Sequence, residues 1–143
     1  MDELNAVVDT NVFYAGLRSR RGASHRLLRE IGKSAAFRIH LSVPLVLEYE
    51  EIAKRNSRGL GLTHEEIDDV LDYLCSVAGL HDIFYLWRPF LPDLDDDMLL
   101  ELAVEAGASR IITFNERDFV GIDRFGVRAV WPAEFLREIG VVK

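Results

Sequence analysis

Short apolar runs alternate with longer amphipathic segments along this sequence. Several runs rich in Val and Ile have the length and composition of buried strands. A further run, DIFYLW at 82–87, is a weaker candidate for a fifth strand. The segments between the runs carry apolar residues at helical spacing. We predict strands at 5–9, 37–42, 109–114 and 127–131.

Start and stop signals bound the predicted helices. Ser42 is placed to cap a helix that has Pro44 in its first turn. Thr63 and Glu66 have the spacing of a capping box, and Gly107 ends a later helix. The predicted helices are 22–33, 43–56, 64–79, 95–107 and 132–139.

Strands that alternate with helices indicate an α/β fold, with a mostly parallel sheet of four to five strands flanked by helices. The 143 residues, of which 49% are hydrophobic, are enough for one core. No repeat or linker divides the sequence, so we predict a single domain over residues 1–143. The stretch NSRGLGLTH at 56–64 predicts a surface loop.

Neither a targeting segment nor a membrane span is expected. The N-terminal segment lacks the pattern of a signal peptide, and no apolar stretch approaches the ~18 residues of a membrane span. Cys75 is the single cysteine, which fits a reducing compartment and excludes an internal disulfide. We therefore expect a cytoplasmic protein without a membrane partner.

Charge is segregated along the chain. The net charge of -7 disfavours a nucleic-acid partner, which is bound through Lys and Arg. Residues 18–29 nevertheless hold five arginines and no acid, whereas residues 93–97 hold four aspartates and no base. The arginines are either a solvated loop and helix face or, if a polyanion binds nearby, part of its binding surface.

Polar residues follow two of the predicted strands. Asp9, Thr10 and Asn11 come directly after the first strand, and Thr113 and Asn115 end a later one. Ligands of open parallel sheets bind beyond the carboxyl ends of the strands. An aspartate at such a position is partly desolvated, which is costly unless a cation or hydrogen-bond donors compensate its charge.

The segment LPDLDDDMLLELA carries four aspartates at the start of a predicted helix. At about 100° per residue, Asp96 falls within about 30° of the centre of the apolar face and points inward. Asp97 shares its side with Glu101, which predicts a place on the flank or in solvent. Asp95 is the predicted N-cap, and Asp93 is predicted to precede the helix.

A second candidate acid lies on the helix that follows the second strand. Helical phase places Glu51 opposite the buried face of residues 45–55, and it places Glu48 and Glu50 on the two rims. Phase alone does not choose between Glu48 and Glu50.

Carboxylates without His or Cys partners match the hard oxygen ligands that Mg²⁺ and Mn²⁺ prefer. The four histidines have no close ligand spacing, which disfavours zinc. The sequence also lacks the GxxxxGK[ST], GxSxG and GxGxxG motifs of nucleotide binding and serine hydrolysis.

Four segments in this order resemble the PIN domain family, and most closely its bacterial branch of toxin components related to VapC. The resemblance spans nearly the whole chain and implies a three-layer PIN-like sandwich. The segments are VVDTNVF at 7–13, LVLEYEEIAKR at 45–55, DLDDDMLLELAVEAGASRIITFNERDF at 93–119 and GVRAVWPAEFL at 126–136.

The resemblance implies a set of acidic site residues. The first acid of the family falls on Asp9, with Asn11 beside it as a polar member of the site. The second falls on Glu48, so the resemblance selects Glu48 over Glu50. The third falls on Asp96, in agreement with helical phase. Asp9, Glu48 and Asp96 are thus the implied ligands of Mg²⁺ or Mn²⁺.

A fourth polar position is implied by the family pattern Thr-x-Asp/Asn-x-x-Asp-Phe. This pattern matches Thr113, Asn115, Asp118 and Phe119. Many members have aspartate where this chain has Asn115. Because an amide oxygen coordinates without adding charge, a second metal site would be weak unless Asp118 partly replaces the missing carboxylate.

The activity implied by the resemblance is metal-dependent cleavage of RNA that leaves 5'-phosphate and 3'-hydroxyl ends. The implied partners are single-stranded RNA and a small protein antitoxin that covers the acidic pocket, and a homodimer is a common state for such folds. A basic rim would offset the repulsion between RNA and the carboxylates. The candidates for this rim, just after the first strand, are Arg18, Arg20, Arg21 and Arg26.

Two other readings remain open. A PIN-like module could bind RNA or a protein without cutting, which the amide of Asn115 favours. An α/β receiver domain or phosphatase would instead need a lysine after a late strand. The lysines of this chain are Lys33, Lys54 and Lys143, none of which is placed there.

Overall fold

Five parallel strands form the central sheet of the computed structural model, in the order β3-β2-β1-β4-β5. The structure describes residues 3–82 and 90–141. The predicted α/β fold with a parallel sheet of four to five strands is confirmed. The strands are β1 Leu4–Val8, β2 Phe37–Ser42, β3 Gly79–His81, β4 Arg110–Ile112 and β5 Arg128–Val130.

Helices cover both faces of this sheet. Right-handed crossovers from β1 through β2 to β3 keep their helices on one face, whereas the return from β3 to β4 places its helix on the other. Two short 3-10 turns, Glu116–Phe119 and Ile122–Phe125, connect β4 to β5. The helices are α1 Thr10–Arg18, α2 Ala23–Glu30, α3 Val43–Arg55, α4 Ser57–Leu60, α5 His64–Val77, α6 Leu94–Ala106 and α7 Pro132–Glu138.

The predicted capping signals form as expected. The Ser42 hydroxyl accepts a hydrogen bond from the amide of Leu45, and Thr63 and Glu66 form a reciprocal capping box at the start of α5. Gly107 ends α6 in the left-handed conformation at φ 66°, which glycine adopts without a steric cost. These local signals therefore define the ends of three helices.

Three elements differ from the sequence expectation. The helix α1 was not predicted, because its residues, TNVFYAGLR, include β-branched, aromatic and glycine residues of low helix propensity. The predicted loop at 56–64 contains α4. Gly79–His81 forms a strand, which shortens the preceding helix predicted at 64–79 to His64–Val77. Of the strand predicted at 82–87, residues 83–87 lie outside the described part of the chain.

Three polar side chains are linked across β1, β2 and β3. His40 Nε2 lies 2.9 Å from Asn5 Oδ1, and His40 Nδ1 lies 2.8 Å from His81 Nε2. Since an amide oxygen only accepts, His40 donates from Nε2, and its Nδ1 accepts from His81. A Cβ at Gly79 would stand 2.4 Å from His40 Nδ1, so glycine leaves the room for this ring. A proton on His40 Nδ1 would make this nitrogen a donor, and His81 Nε2 would then have to accept, with the proton of His81 on Nδ1.

We expect His40 to contribute less to the free energy of unfolding as the pH falls. Burial, with contributions from His81 and Arg38, lowers the pKa of His40 to about 4. At His40, the unfolded chain binds more protons than the native one between pH 6.5 and 4, so the contribution of this residue to stability decreases as the pH falls, by about 2 kcal/mol between pH 7 and pH 5. Urea unfolding in EDTA measures this contribution as the difference between the pH dependence of the parent and that of His40→Gln.

The matched control is His64→Gln, at an exposed histidine of α5. It should keep the pH dependence of the parent. Histidine NMR titration supplies a direct check, and a His40 ring that titrates near pH 6.5 in the folded protein would contradict the expectation.

Candidate active site

A cavity of about 410 Å³ opens at the carboxyl ends of β1 and β4. These neighbouring strands are the point where the connections change from one face of the sheet to the other, which is where open α/β sheets bind ligands. Among the described residues, six carboxylates and no basic side chain line it. The lining residues are Asp9, Thr10, Asn11, Tyr14, Glu48, Ile52, Asp93, Asp95, Asp96, Leu99, Asn115 and Asp118.

The Thr113 hydroxyl organises the floor of this acidic pocket. Its Oγ1 donates a hydrogen bond of 2.8 Å to Asp9 Oδ2 and accepts one of 3.0 Å from the amide of Asn115. The side-chain amide of Asn11 lies 3.5 Å from the same oxygen. Thr113 is fully buried, and its amide bonds to Val130, so β5 also holds this contact in place. The predicted residues Asp9, Asn11, Thr113 and Asn115 therefore lie together.

Glu48 reaches the pocket from α3. The next residue, Tyr49, is fully buried and donates a hydrogen bond to the carbonyl of Val8, which fixes α3 against the end of β1. Glu50 instead forms an ion pair of 2.9 Å with Lys54. The structure therefore brings Glu48, and not Glu50, into the pocket.

The start of α6 differs in detail from the prediction. Asp93 is the N-cap, and its side chain accepts a hydrogen bond of 2.8 Å from the amide of Asp95. The prediction that Asp95 would cap the helix is wrong, because the extended backbone at Asp93 lets α6 begin at Leu94. Asp96 lies in the pocket, as helical phase predicted.

Asp97 is buried, contrary to the sequence expectation. It is 2% exposed, and its Oδ1 accepts hydrogen bonds from the amides of Phe90, at 3.1 Å, and Leu91, at 2.8 Å. Glu101, one turn further, is also buried. The prediction placed solvent on the side of α6 that carries Asp97, but the chain that enters α6 folds back over that side. Asp96 therefore faces the pocket, whereas the adjacent Asp97 faces the protein interior.

Burial and crowding destabilise the charges in the pocket. Burial, together with the charges of Asp9 and Asp93, raises the pKa of Asp96 to about 7. Burial also raises the pKa of Asp9, although the Thr113 hydrogen bond opposes the rise. For Glu48, burial and the charge of Asp95 raise the pKa. A bound cation would relieve this repulsion.

The donor set fits Mg²⁺ or Mn²⁺. Every candidate donor is an oxygen, and the buried Asn11 Oδ1 has no hydrogen-bond donor among the described residues. Within the described ranges, no three His, Cys, Asp or Glu side chains form a ready-made metal cage. Mg²⁺ does not need one, because it keeps several waters and binds through one or two carboxylates and substrate phosphates.

The four candidate arginines lie away from the pocket. Helix α1 starts at the pocket and carries Arg18 at its far end, about 12 Å along the helix axis. Arg26 pairs with Glu30 at 3.2 Å. None of Arg18, Arg20, Arg21 and Arg26 lines the pocket.

A different arginine, Arg117, lines a cavity that adjoins the pocket. The sequence reading missed it. Its position between Asn115 and Asp118, two candidate site residues, is the signal that could have identified it.

Residues 5–117 match the family model described as PIN domain. The chain belongs to the PIN domain family. The family predicted from four sequence segments is thereby confirmed, and the acidic pocket lies in a PIN domain. None of the curated proteins matches the sequence.

The PIN fold of this chain is similar to a chain in the crystal structure of VapBC2 from Rickettsia felis, bound to a DNA fragment from their promoter. The TM-score is 0.55 with 13% sequence identity, and the match covers 88% of this chain and 97% of that chain. At this identity the likeness concerns the fold. The three-layer PIN-like sandwich predicted from the sequence is therefore confirmed.

Proposed function

We propose that this PIN domain is a metal-dependent ribonuclease that hydrolyses phosphodiester bonds of single-stranded RNA. The observation that carries the proposal is the convergence of Asp9, Glu48 and Asp96, from three distant segments, in one pocket at the switch point of the sheet. An all-oxygen acidic pocket of this kind suits hydrolysis assisted by a divalent ion.

Asp9, Asp96 and Glu48 would hold Mg²⁺ or Mn²⁺. When bound, the ion lowers the pKa of a water and stabilises charge on the scissile phosphate. The Thr113 hydroxyl, on a fully buried side chain, orients the Asp9 carboxylate through its 2.8 Å hydrogen bond. Asn11, Asn115 and Asp118 supply further oxygens to substrate or to a second ion. Hydrolysis would leave 5'-phosphate and 3'-hydroxyl ends.

The biological role we propose is that of the toxin in a toxin-antitoxin pair. A chain with a similar fold belongs to a VapBC2 complex, and VapC-like sequence segments span this chain. A small antitoxin that places a cationic side chain in the acidic pocket would neutralise the enzyme by charge complementarity. The RNA substrate implies action in the cytoplasm, and a homodimer fits such a fold. None of the helices in the described ranges has the length and apolar character of a transmembrane segment.

The purified protein is expected to degrade single-stranded RNA with Mg²⁺ or Mn²⁺ and to stop in EDTA. Asp9→Asn should lower the rate at least about 100-fold, because it removes a ligand charge at the reacting centre. Gel assays with 5'-labelled RNA measure the metal dependence and the cleavage rate, and end-group analysis identifies the product ends. Glu51→Gln, on the exposed side of α3, is the control and should cleave at the parental rate. Cleavage that persists in EDTA would overturn the metal dependence.

A non-cleaving RNA-binding or protein-binding module is the alternative. Two observations favour it. Position 115 is an amide, and the carboxylates of the described residues do not form a ready-made metal site. A folded protein that binds RNA but shows no cleavage with either ion would select this alternative.

A further inference from the structure

A second cavity, of about 340 Å³, opens beside the acidic pocket. The two cavities share Asp93, Asp96 and Asp118 as a common wall. A ligand held at Asp96 can therefore extend from one cavity into the other. Because RNA is a continuous chain, the nucleotides beside a scissile phosphate in the acidic pocket need such an adjoining space.

Apolar residues line this second cavity beside the shared aspartates. They are Phe90, Leu91, Pro92 and Val120, and Val120 is 76% exposed. A Cβ at Gly121 would come within 3.2 Å of the Phe90 ring, so glycine allows the ring to approach the 3-10 turns. Flat apolar surfaces of this kind accept nucleic-acid bases without sequence preference.

Phe90 is held by its neighbours. The Arg124 guanidinium lies 5.5 Å from the centre of the Phe90 ring, and the ring of Phe125 meets Phe90 edge-on at 5.1 Å. The backbone of Phe90 is also fixed, because its amide donates a hydrogen bond to Asp97 Oδ1. The aromatic wall is thus organised before a ligand arrives, which lowers the ordering cost of binding.

Arg117 is the basic residue that lines this cavity in the described part of the chain. It is exposed, and no ion pair of its guanidinium is found among the described residues. Phe119, two residues later, is buried in the core and fixes the 3-10 turn that carries Arg117. A guanidinium at the edge of an aspartate-lined wall can bind a phosphate that the carboxylates repel.

We propose that the cavity of Phe90, Val120 and Arg117 is a nucleotide subsite for single-stranded RNA, in which Arg117 binds a phosphate next to the scissile one and the apolar wall contacts a base. A cation and a flat apolar wall side by side match the alternation of phosphate and base along the strand. This subsite rests on the proposed ribonuclease function and adds the path of the substrate to it.

Binding of a fluorescently labelled single-stranded hexaribonucleotide tests the subsite. With Ca²⁺ in place of Mg²⁺, fluorescence anisotropy should show that Arg117→Ala raises the Kd about 5- to 10-fold and lowers the slope of log K against log salt by about 1. Val120→Ala should raise the Kd without changing the salt slope. The matched control, Arg137→Ala, removes the same charge from exposed α7 and should leave both quantities at the parental value.

The outcomes separate the subsite from the proposed function. If the parent cleaves RNA but Arg117→Ala binds like Arg137→Ala, the subsite is overturned and the ribonuclease stands. If binding depends on Arg117 but no divalent ion supports cleavage, the subsite stands and the ribonuclease fails. If the parent binds no RNA, both fail. Circular dichroism checks that each variant is folded.

Discussion

Asp96→Asn is expected to lower the rate of RNA cleavage at least about 100-fold and, in EDTA, to raise the melting temperature. The rate falls because a charged ligand at the reacting centre is lost. The stability rises because burial and neighbouring carboxylates hold the pKa of Asp96 at about 7. At pH 8 the ionised side chain therefore opposes folding, and the amide removes that repulsion.

The expected gain in the free energy of unfolding is about 1–2 kcal/mol, a figure that is discounted because Asp96 is partly exposed. Each kcal/mol raises the melting temperature by roughly 4 °C. Differential scanning fluorimetry in EDTA at pH 8 measures it. Mg²⁺ should raise the melting temperature of the parent and have less effect on the variant. Asp69→Asn, at an exposed position of α5, is the control. A variant that melts below the parent in EDTA, or that cleaves at the parental rate, would refute this assignment of Asp96.

Asp97→Ala is expected to reduce the free energy of unfolding by about 3 kcal/mol. The substitution leaves the amides of Phe90 and Leu91 without their acceptor, and each unsatisfied buried group costs about 1–3 kcal/mol. Asp97→Asn keeps an oxygen acceptor, so its loss should be clearly smaller. Urea unfolding in EDTA measures both variants.

The folded fraction of Asp97→Asn should retain cleavage within a few-fold of the parent, because this side chain does not line the acidic pocket. Asp69→Ala, at an exposed position of α5 outside the acidic pocket, should change stability by less than about 0.5 kcal/mol. If Asp97→Asn is fully folded but inactive, the metal ligand is Asp97 and the assignment of Asp96 is off by one residue.

The strands and the acidic residues that follow them were predictable because both depend on local pattern. Asp9 ends an apolar run, and Thr113 ends another, so the rule for parallel sheets places both at one edge. Helical phase also placed Asp96 toward the pocket, because the sheet covers the face to which it points.

The residues whose environment was predicted wrongly make contacts outside their own helix or strand, which a local sequence pattern does not contain. Asp97 is buried by Phe90 and Leu91, which precede the helix and fold back over it. The helix α1 forms although its residues favour it weakly, and its buried Val12 and Phe13 show that tertiary packing outweighs propensity there. The strand Gly79–His81 is only three residues long and has no apolar run. Its side-chain contact with β2 is the hydrogen bond between His81 and His40.

The hydrogen bond between Thr113 and Asp9 joins residues separated by 104 positions in the chain. Contacts of such high sequence separation form late, because the entropy of closing a long loop must be overcome first. During synthesis Asp9 emerges long before Thr113, so a partly made chain contains the first carboxylate without the hydroxyl that orients it. On the proposed function, cleavage of RNA would accordingly begin only after the segment that carries Thr113 has been made and β4 has paired with β1.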